Sequence, residues 1–238
     1  MKTNFFLAFS MFLALLIVIP TVGNAQDCKY FFPAEVGTTL EYTFYNKKGR
    51  EDSYQTQKVV EVVDVAGATL IKLESSVKSG KKDEEAVVTN FELRCEDGNF
   101  YINMNDFAST TNYQQYEGSP DLDIEIESKD LFYPSNMSVG QTLPEGNMEI
   151  AIKNNGTRLF GTTITIKDRK VEAQETITTP AGTFECLKIS SVVLTKSVMS
   201  MESKTVQWLA EGIGIVKTEN FSKNGKLVGS QVLTGIKE

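Results

Sequence analysis

Polar and apolar residues alternate along much of this chain. Leu40-Glu41-Tyr42-Thr43-Phe44-Tyr45 puts Leu40, Tyr42 and Phe44 on one face of an extended strand. Residues 59–65 and 69–77 are rich in β-branched side chains, which suit a pleated, half-buried surface. Turn signals separate such runs: Lys48-Gly49, Ala66-Gly67, Ser79-Gly80, Asp97-Gly98, Asn154-Asn155-Gly156, Ala181-Gly182 and Asn224-Gly225. No segment keeps a helical period, and 103–118 alone could hold a short helix, or equally a loop. About ten strands with short turns predict an all-β antiparallel architecture: a curved sheet forming a half-barrel, barrel or sandwich.

The N-terminus departs from this alternation. Lys2 is followed by an apolar run from Phe5 to Pro20, and then by Gly23 and Ala25 at −3 and −1 of a cut before Gln26. A short basic region, an apolar stretch and a small-residue exit make residues 1–25 a signal peptide. The run is shorter than a membrane span needs. No second long apolar stretch follows, so no transmembrane segment is expected in the mature chain, 26–238. The residues before Cys28, Gln26-Asp27, do not suit a lipobox. The expected location is periplasmic or secreted.

The two halves resemble each other. Phe31-Phe32-Pro33 with Val36-Gly37-Thr38-Thr39-Leu40 matches Phe132-Tyr133-Pro134 with Val139-Gly140-Gln141-Thr142-Leu143. Ala66-Gly67 through Ser75-Ser76-Val77 matches Ala181-Gly182 through Ser190-Ser191-Val192, and Cys95-Glu96-Asp97-Gly98 falls opposite Ala210-Glu211-Gly212. The blocks keep their order while the offset grows, as insertions in loops would produce. The reading is a single β domain built from two half-units, about 31–118 and 131–236.

Composition narrows the chemistry. The chain has net charge −7 and no histidine. Absence of histidine removes Ser-His-Asp and Cys-His catalysis, His-ligated zinc and a histidine pH switch. An acidic chain without basic clusters does not fit nucleic acid. Lys78, Lys81 and Lys82 flank a turn and precede Asp83-Glu84-Glu85, which reads as a solvated hairpin tip. Of the three cysteines, Cys186 sits in an apolar strand pattern and is expected to be free and buried. Cys28 and Cys95 are then the favoured disulfide pair in an oxidising compartment, although sequence alone leaves the connectivity open.

Three blocks resemble the TapB-like family of exported bacterial proteins: Val36-Gly37-Thr38-Thr39-Leu40-Glu41-Tyr42, then Thr179-Pro180-Ala181-Gly182-Thr183-Phe184-Glu185-Cys186-Leu187-Lys188-Ile189, then Trp208-Leu209-Ala210-Glu211-Gly212-Ile213-Gly214-Ile215-Val216-Lys217. The resemblance implies an antiparallel curved half-barrel and brings no catalytic residues.

Candidate chemistry is sparse. Asp121, Asp123, Glu125 and Glu127 alternate with Leu122, Ile124 and Ile126, so a strand places the four carboxylates on one face. Calcium or a glycosidase-type carboxylate pair could use them, but a solvated strand face explains them as well. Tyr113-Gln114-Gln115-Tyr116 fits a polar loop or a contact patch. Tyr42, Phe44, Phe91, Phe160 and Trp208 are the candidate ligand-binding residues, bulky side chains at strand positions that could line a barrel cavity. No metal or cofactor is expected. The leading expectation is an exported, non-enzymatic β protein that binds an apolar small molecule or an envelope component. The alternatives are a structural or adhesive envelope protein without a cavity and a carboxylate-based glycan hydrolase.

Overall fold

The computed structural model describes residues 31–80, 85–106 and 121–238. The expected signal peptide (residues 1–25), Cys28, Lys81, Lys82, the Tyr113–Tyr116 patch and most of 103–118 lie outside the described residues. Met104 to Asp106 form a single 3-10 turn.

The described residues form fourteen strands, more than the turn signals suggested. The first five are β1 (Thr39–Asn46), β2 (Glu51–Val65), β3 (Ala68–Ser79), β4 (Val87–Glu96) and β5 (Asn99–Ile102). A middle group holds β6 (Leu122–Lys129), β7 (Leu131–Pro134) and β8 (Thr142–Leu143). Then come β9 (Gly146–Asn154), β10 (Thr157–Thr179), β11 (Gly182–Lys196), β12 (Ser200–Ala210), β13 (Gly214–Ser222) and β14 (Leu227–Lys237). Tight two-residue turns join several of them. Asp97-Gly98 and Asn155-Gly156 hold positive φ at both positions, the backbone that matches strand twist in a hairpin.

Thirteen strands form one antiparallel path, β6-β9-β10-β11-β12-β13-β14-β1-β2-β3-β4-β5-β7, nearly closed into a barrel, with β8 added alongside β10. The seam explains the closure. The two ends of the path, β6 and β7, are consecutive in the chain and separated by Asp130 alone. Residues 122–129 pair with β9, and residues 131–134 pair with β5 on the other side. One extended segment therefore joins both edges, which removes most of the exposed strand edge.

Side-chain interactions lock the seam. Arg94 Nη2 reaches Asp130 Oδ2 at 3.4 Å, and the Met104 amide donates to Asp130 Oδ1 at 3.4 Å. A Cβ on Gly146 would meet Leu131 Cδ1 at 2.9 Å, so β7 packs closely against the start of β9. Arg169 crosses from β10 to the same place, with consequences described below.

The segment before β1 plugs one end of the barrel. Phe31 and Phe32 are buried, and the Phe31 ring meets Phe100 edge-on at 6.3 Å and Tyr133 at 6.1 Å. Burying each such ring contributes ~1.5–3 kcal/mol, which offsets the cost of ordering the segment. Leu40, Ile71, Met148, Ile150, Val171 and Leu233 extend this core along the inner wall.

Both Val-Gly pairs of the matched sequence blocks make the same backbone contacts. The Gly37 amide donates to Val59 O at 2.9 Å, and the Gly140 amide to Val171 O at 2.8 Å. Val59 N then donates to Thr38 O, and Val171 N to Gln141 O, each at 2.9 Å.

Candidate functional site

The alternation of β1 turns Leu40, Tyr42 and Phe44 inward, as the sequence predicts. The interior is not solid: a cavity of about 350 Å³ lies within the barrel. Phe44, Phe91, Ile102, Ile166 and Val193 give it apolar walls. Four amide side chains, Gln55, Gln57, Gln207 and Gln231, also line it. Gln231 Nε2 donates to Gln55 Oε1 at 3.1 Å, and Gln55 Nε2 donates to Ser75 Oγ at 2.8 Å. This chain of amides crosses the inner face from β14 to β3 and satisfies polar groups that would otherwise be costly to bury.

Among the described residues, one cation lines this space, Arg169. On β10, Lys167 pairs with Val192 and Lys170 with Ser190, so Asp168 and Arg169 together oppose Ser191. Asp168 takes φ +52°. This is a β-bulge, and it reverses the in-out phase of the strand. Ile166 faces inward before it; after it, Arg169 and Val171 do. Arg169 is 2 % exposed. Its Nη1 donates to Phe132 O at 3.0 Å and to Pro144 O at 2.6 Å. The guanidinium lies 4.6 Å from the Tyr133 ring centroid. Nη2 is buried without a hydrogen-bond partner among the described residues.

The five candidate aromatics divide. Tyr42, Phe44 and Phe91 line the cavity. Burial raises the Tyr42 phenol well above its ordinary range, so it stays neutral. Phe160 lies at a bulge between β9 and β10 and is 39 % exposed. Trp208 is buried in a separate cluster with Cys186, Ala210 and Val216. There Lys188 and Lys217, its partners on the flanking strands, place Nζ 5.3 Å and 4.7 Å from the indole centroid. Trp208 Nε1 donates to Glu175 Oε2 at 2.8 Å, and Lys188 Nζ to Glu175 Oε1 at 3.0 Å. The indole hydrogen bond, then that lysine, hold the Glu175 carboxyl below its usual range.

Cys186 is free and buried in this second cluster, as expected. Burial, with Glu185 and Glu175 adding, pushes its thiol up to about 11. Cys95 is buried at the end of β4, while its expected partner Cys28 lies outside the described residues.

The acidic alternation falls on β6, where Asp123, Glu125 and Glu127 are exposed. Lys153 on β9 reaches Glu125 at 2.5 Å. Among the described residues no group of acidic or cysteine side chains is arranged to hold a metal. A second cleft of about 350 Å³ outside the barrel is polar and internally paired: Arg94 stacks on Tyr101 at 4.4 Å and ion-pairs with Glu96 and Asp130.

Sequence reasoning missed Arg169, the glutamines, and the Phe31 and Tyr133 rings. A signal existed for two of these: Phe31 and Tyr133 belong to the matched blocks Phe31-Phe32-Pro33 and Phe132-Tyr133-Pro134. Arg169 sits in Lys167-Asp168-Arg169-Lys170, which reads as a solvated charge run until the bulge is known.

Fold and cavity together define an antiparallel β-barrel with a mainly apolar, partly polar interior. The chain belongs to the DUF3108-like family, which matches residues 35–233. Two solved structures share the fold. A Bacteroides fragilis protein named "putative exported protein with YmcC-like fold" is 22% identical, with TM-score 0.69, covering 89% of this chain and 100% of its own. A Parabacteroides distasonis protein named "putative lipoprotein" is 25% identical, with TM-score 0.70 and the same coverage. No curated protein matches the chain significantly. The matched family bears a different name from the TapB-like group that the three sequence blocks resemble. The all-β architecture implied by that resemblance is the one observed. Among the described residues no helix is long and apolar enough to cross a membrane.

Proposed function

We propose that this is an exported, non-enzymatic protein that holds an apolar or amphipathic small molecule inside its barrel. The observation that carries the reading is the cavity of about 350 Å³ walled by Phe44, Phe91, Ile166 and Val193. Its size and mixed lining suit a small ligand. Leaving such space unfilled by side chains forfeits packing contacts worth on the order of several kcal/mol. A purely structural or adhesive barrel gains nothing in return. No Asp or Glu lines the cavity among the described residues, which disfavours carboxylate hydrolysis there.

Export rests on the signal-peptide pattern of residues 1–25, and the names of the two solved relatives agree with it. The reading also includes kinship with TapB-like proteins, a Cys28–Cys95 disulfide and a duplicated ancestry of the two halves. The matching hydrogen bonds of Gly37 and Gly140 support the duplication.

The test is titration of the mature protein with the neutral probe N-phenyl-1-naphthylamine. Saturable binding at one site per chain is expected. Val193→Trp, which fills the cavity from β11, should weaken it about tenfold or more with an unchanged far-UV spectrum. Absence of saturable binding, or indifference to Val193→Trp, would overturn the reading.

A further inference from the structure

Of the described residues that line the cavity, Arg169 alone has a charged side chain. No carboxylate forms an ion pair with it among the described residues; its partners are two carbonyl oxygens and a tyrosine ring. A guanidinium carries five N–H donors in a planar fork that suits carboxylate and phosphate oxygens. Here Nη1 serves the seam, while Nη2 is buried and has no hydrogen-bond partner among the described residues. A buried cation without a counter-charge is unfavourable, and an anion beside it relieves that cost through charge-assisted hydrogen bonds.

We propose that the interior ligand is a single-chain anionic amphiphile. Its carboxylate or phosphate head pairs with the Arg169 guanidinium, and its hydrocarbon tail runs along Phe44, Phe91, Ile166 and Val193. This rests on the ligand-holding reading above and specifies the head group. The bulge at Asp168 is the device that makes it possible. Without it, the alternation of β10 would turn Arg169 outward and bring Asp168 to the inner face, where an anionic head would be repelled. Neutral and cationic amphiphiles of the same length gain the tail contacts but not the head contact.

The test is competition against N-phenyl-1-naphthylamine with four twelve-carbon ligands: laurate, dodecyl phosphate, dodecanol and dodecylammonium. At least one anion should displace the probe at about tenfold lower concentration than dodecanol, with dodecylammonium weakest. The tighter of the two anions tells a fatty acid from a phosphate-bearing lipid. Arg169→Gln should erase the preference for anions while dodecanol still binds, and Val193→Trp should weaken all four. If anions and dodecanol compete equally in the wild type, Arg169 is a seam clamp only. The head-group proposal then fails while the cavity reading stands. If no ligand displaces a saturably bound probe, the head-group proposal fails; if the probe itself does not bind saturably, both fail. The wild-type comparison decides the matter without any variant.

Discussion

Arg169 holds the carbonyl oxygen of Phe132, thirty-seven positions earlier in the chain, at 3.0 Å. The same nitrogen reaches Pro144 O at 2.6 Å. One side chain thus ties β10 to β7 and to the link before β9, where the barrel closes. Arg169→Met should strand both carbonyls and lower unfolding stability by roughly 2–4 kcal/mol. The check is the urea midpoint. An unchanged midpoint would remove Arg169 from the seam.

Glu175 offers a pH-dependent reporter. Its carboxyl is held below the usual range by the Trp208 indole and then by Lys188. A depressed carboxylate pKa stabilises the fold above the unfolded value, and that contribution is lost as pH falls through the folded value. Trp208 is the sole tryptophan, so its fluorescence reports the bond directly. An acid titration should show a step below the ordinary carboxylate range. Glu175→Gln should abolish the step and flatten the acid limb of Tm against pH.

The cysteines make a second pair of measurements. Cys186 is 1 % exposed with its thiol pushed up to about 11. In the native protein near pH 8 it should react with thiol reagents far more slowly than an exposed cysteine. In denaturant without reductant, one reactive thiol per chain is expected if Cys28 and Cys95 are joined. Three reactive thiols would refute the pairing.

Gly214 tests the docking of the segment before β1. It has φ +98°, and a Cβ there would meet the Phe31 carbonyl oxygen at 2.9 Å. Gly212 also has positive φ, +75°, but its Cβ would meet nothing within 4 Å. Both alanine variants carry backbone strain; only Gly214→Ala must also displace the plug. Gly214→Ala should therefore be less stable than Gly212→Ala by about 1 kcal/mol or more. Equal losses would mean that the plug contributes nothing at this contact.

How far the sequence could be read depended on the regularity of each strand. Leu40, Tyr42 and Phe44 alternate without interruption, and all three turn inward as that alternation requires. Phe91 followed the same logic on β4. Trp208-Leu209-Ala210 is apolar at every position, so alternation offered no choice of face. The pairing register places Leu209 in the cavity and Trp208 in the outer cluster. Arg169 was illegible for a different reason. A bulge shifts the phase by one residue, and nothing in Lys167-Asp168-Arg169-Lys170 marks where the extra residue sits. The closure of the barrel was hidden too, because it depends on one segment pairing with β9 and β5 on opposite sides.

Methyl-labelled NMR of the mature protein with bound laurate tests the central claim most directly. The account predicts intermolecular NOEs from the hydrocarbon tail to Ile166 and Val193 inside the barrel, and none to Val216 in the outer cluster. NOEs confined to exposed methyls such as Val198 and Met199, or none at all to the cavity walls, would contradict it.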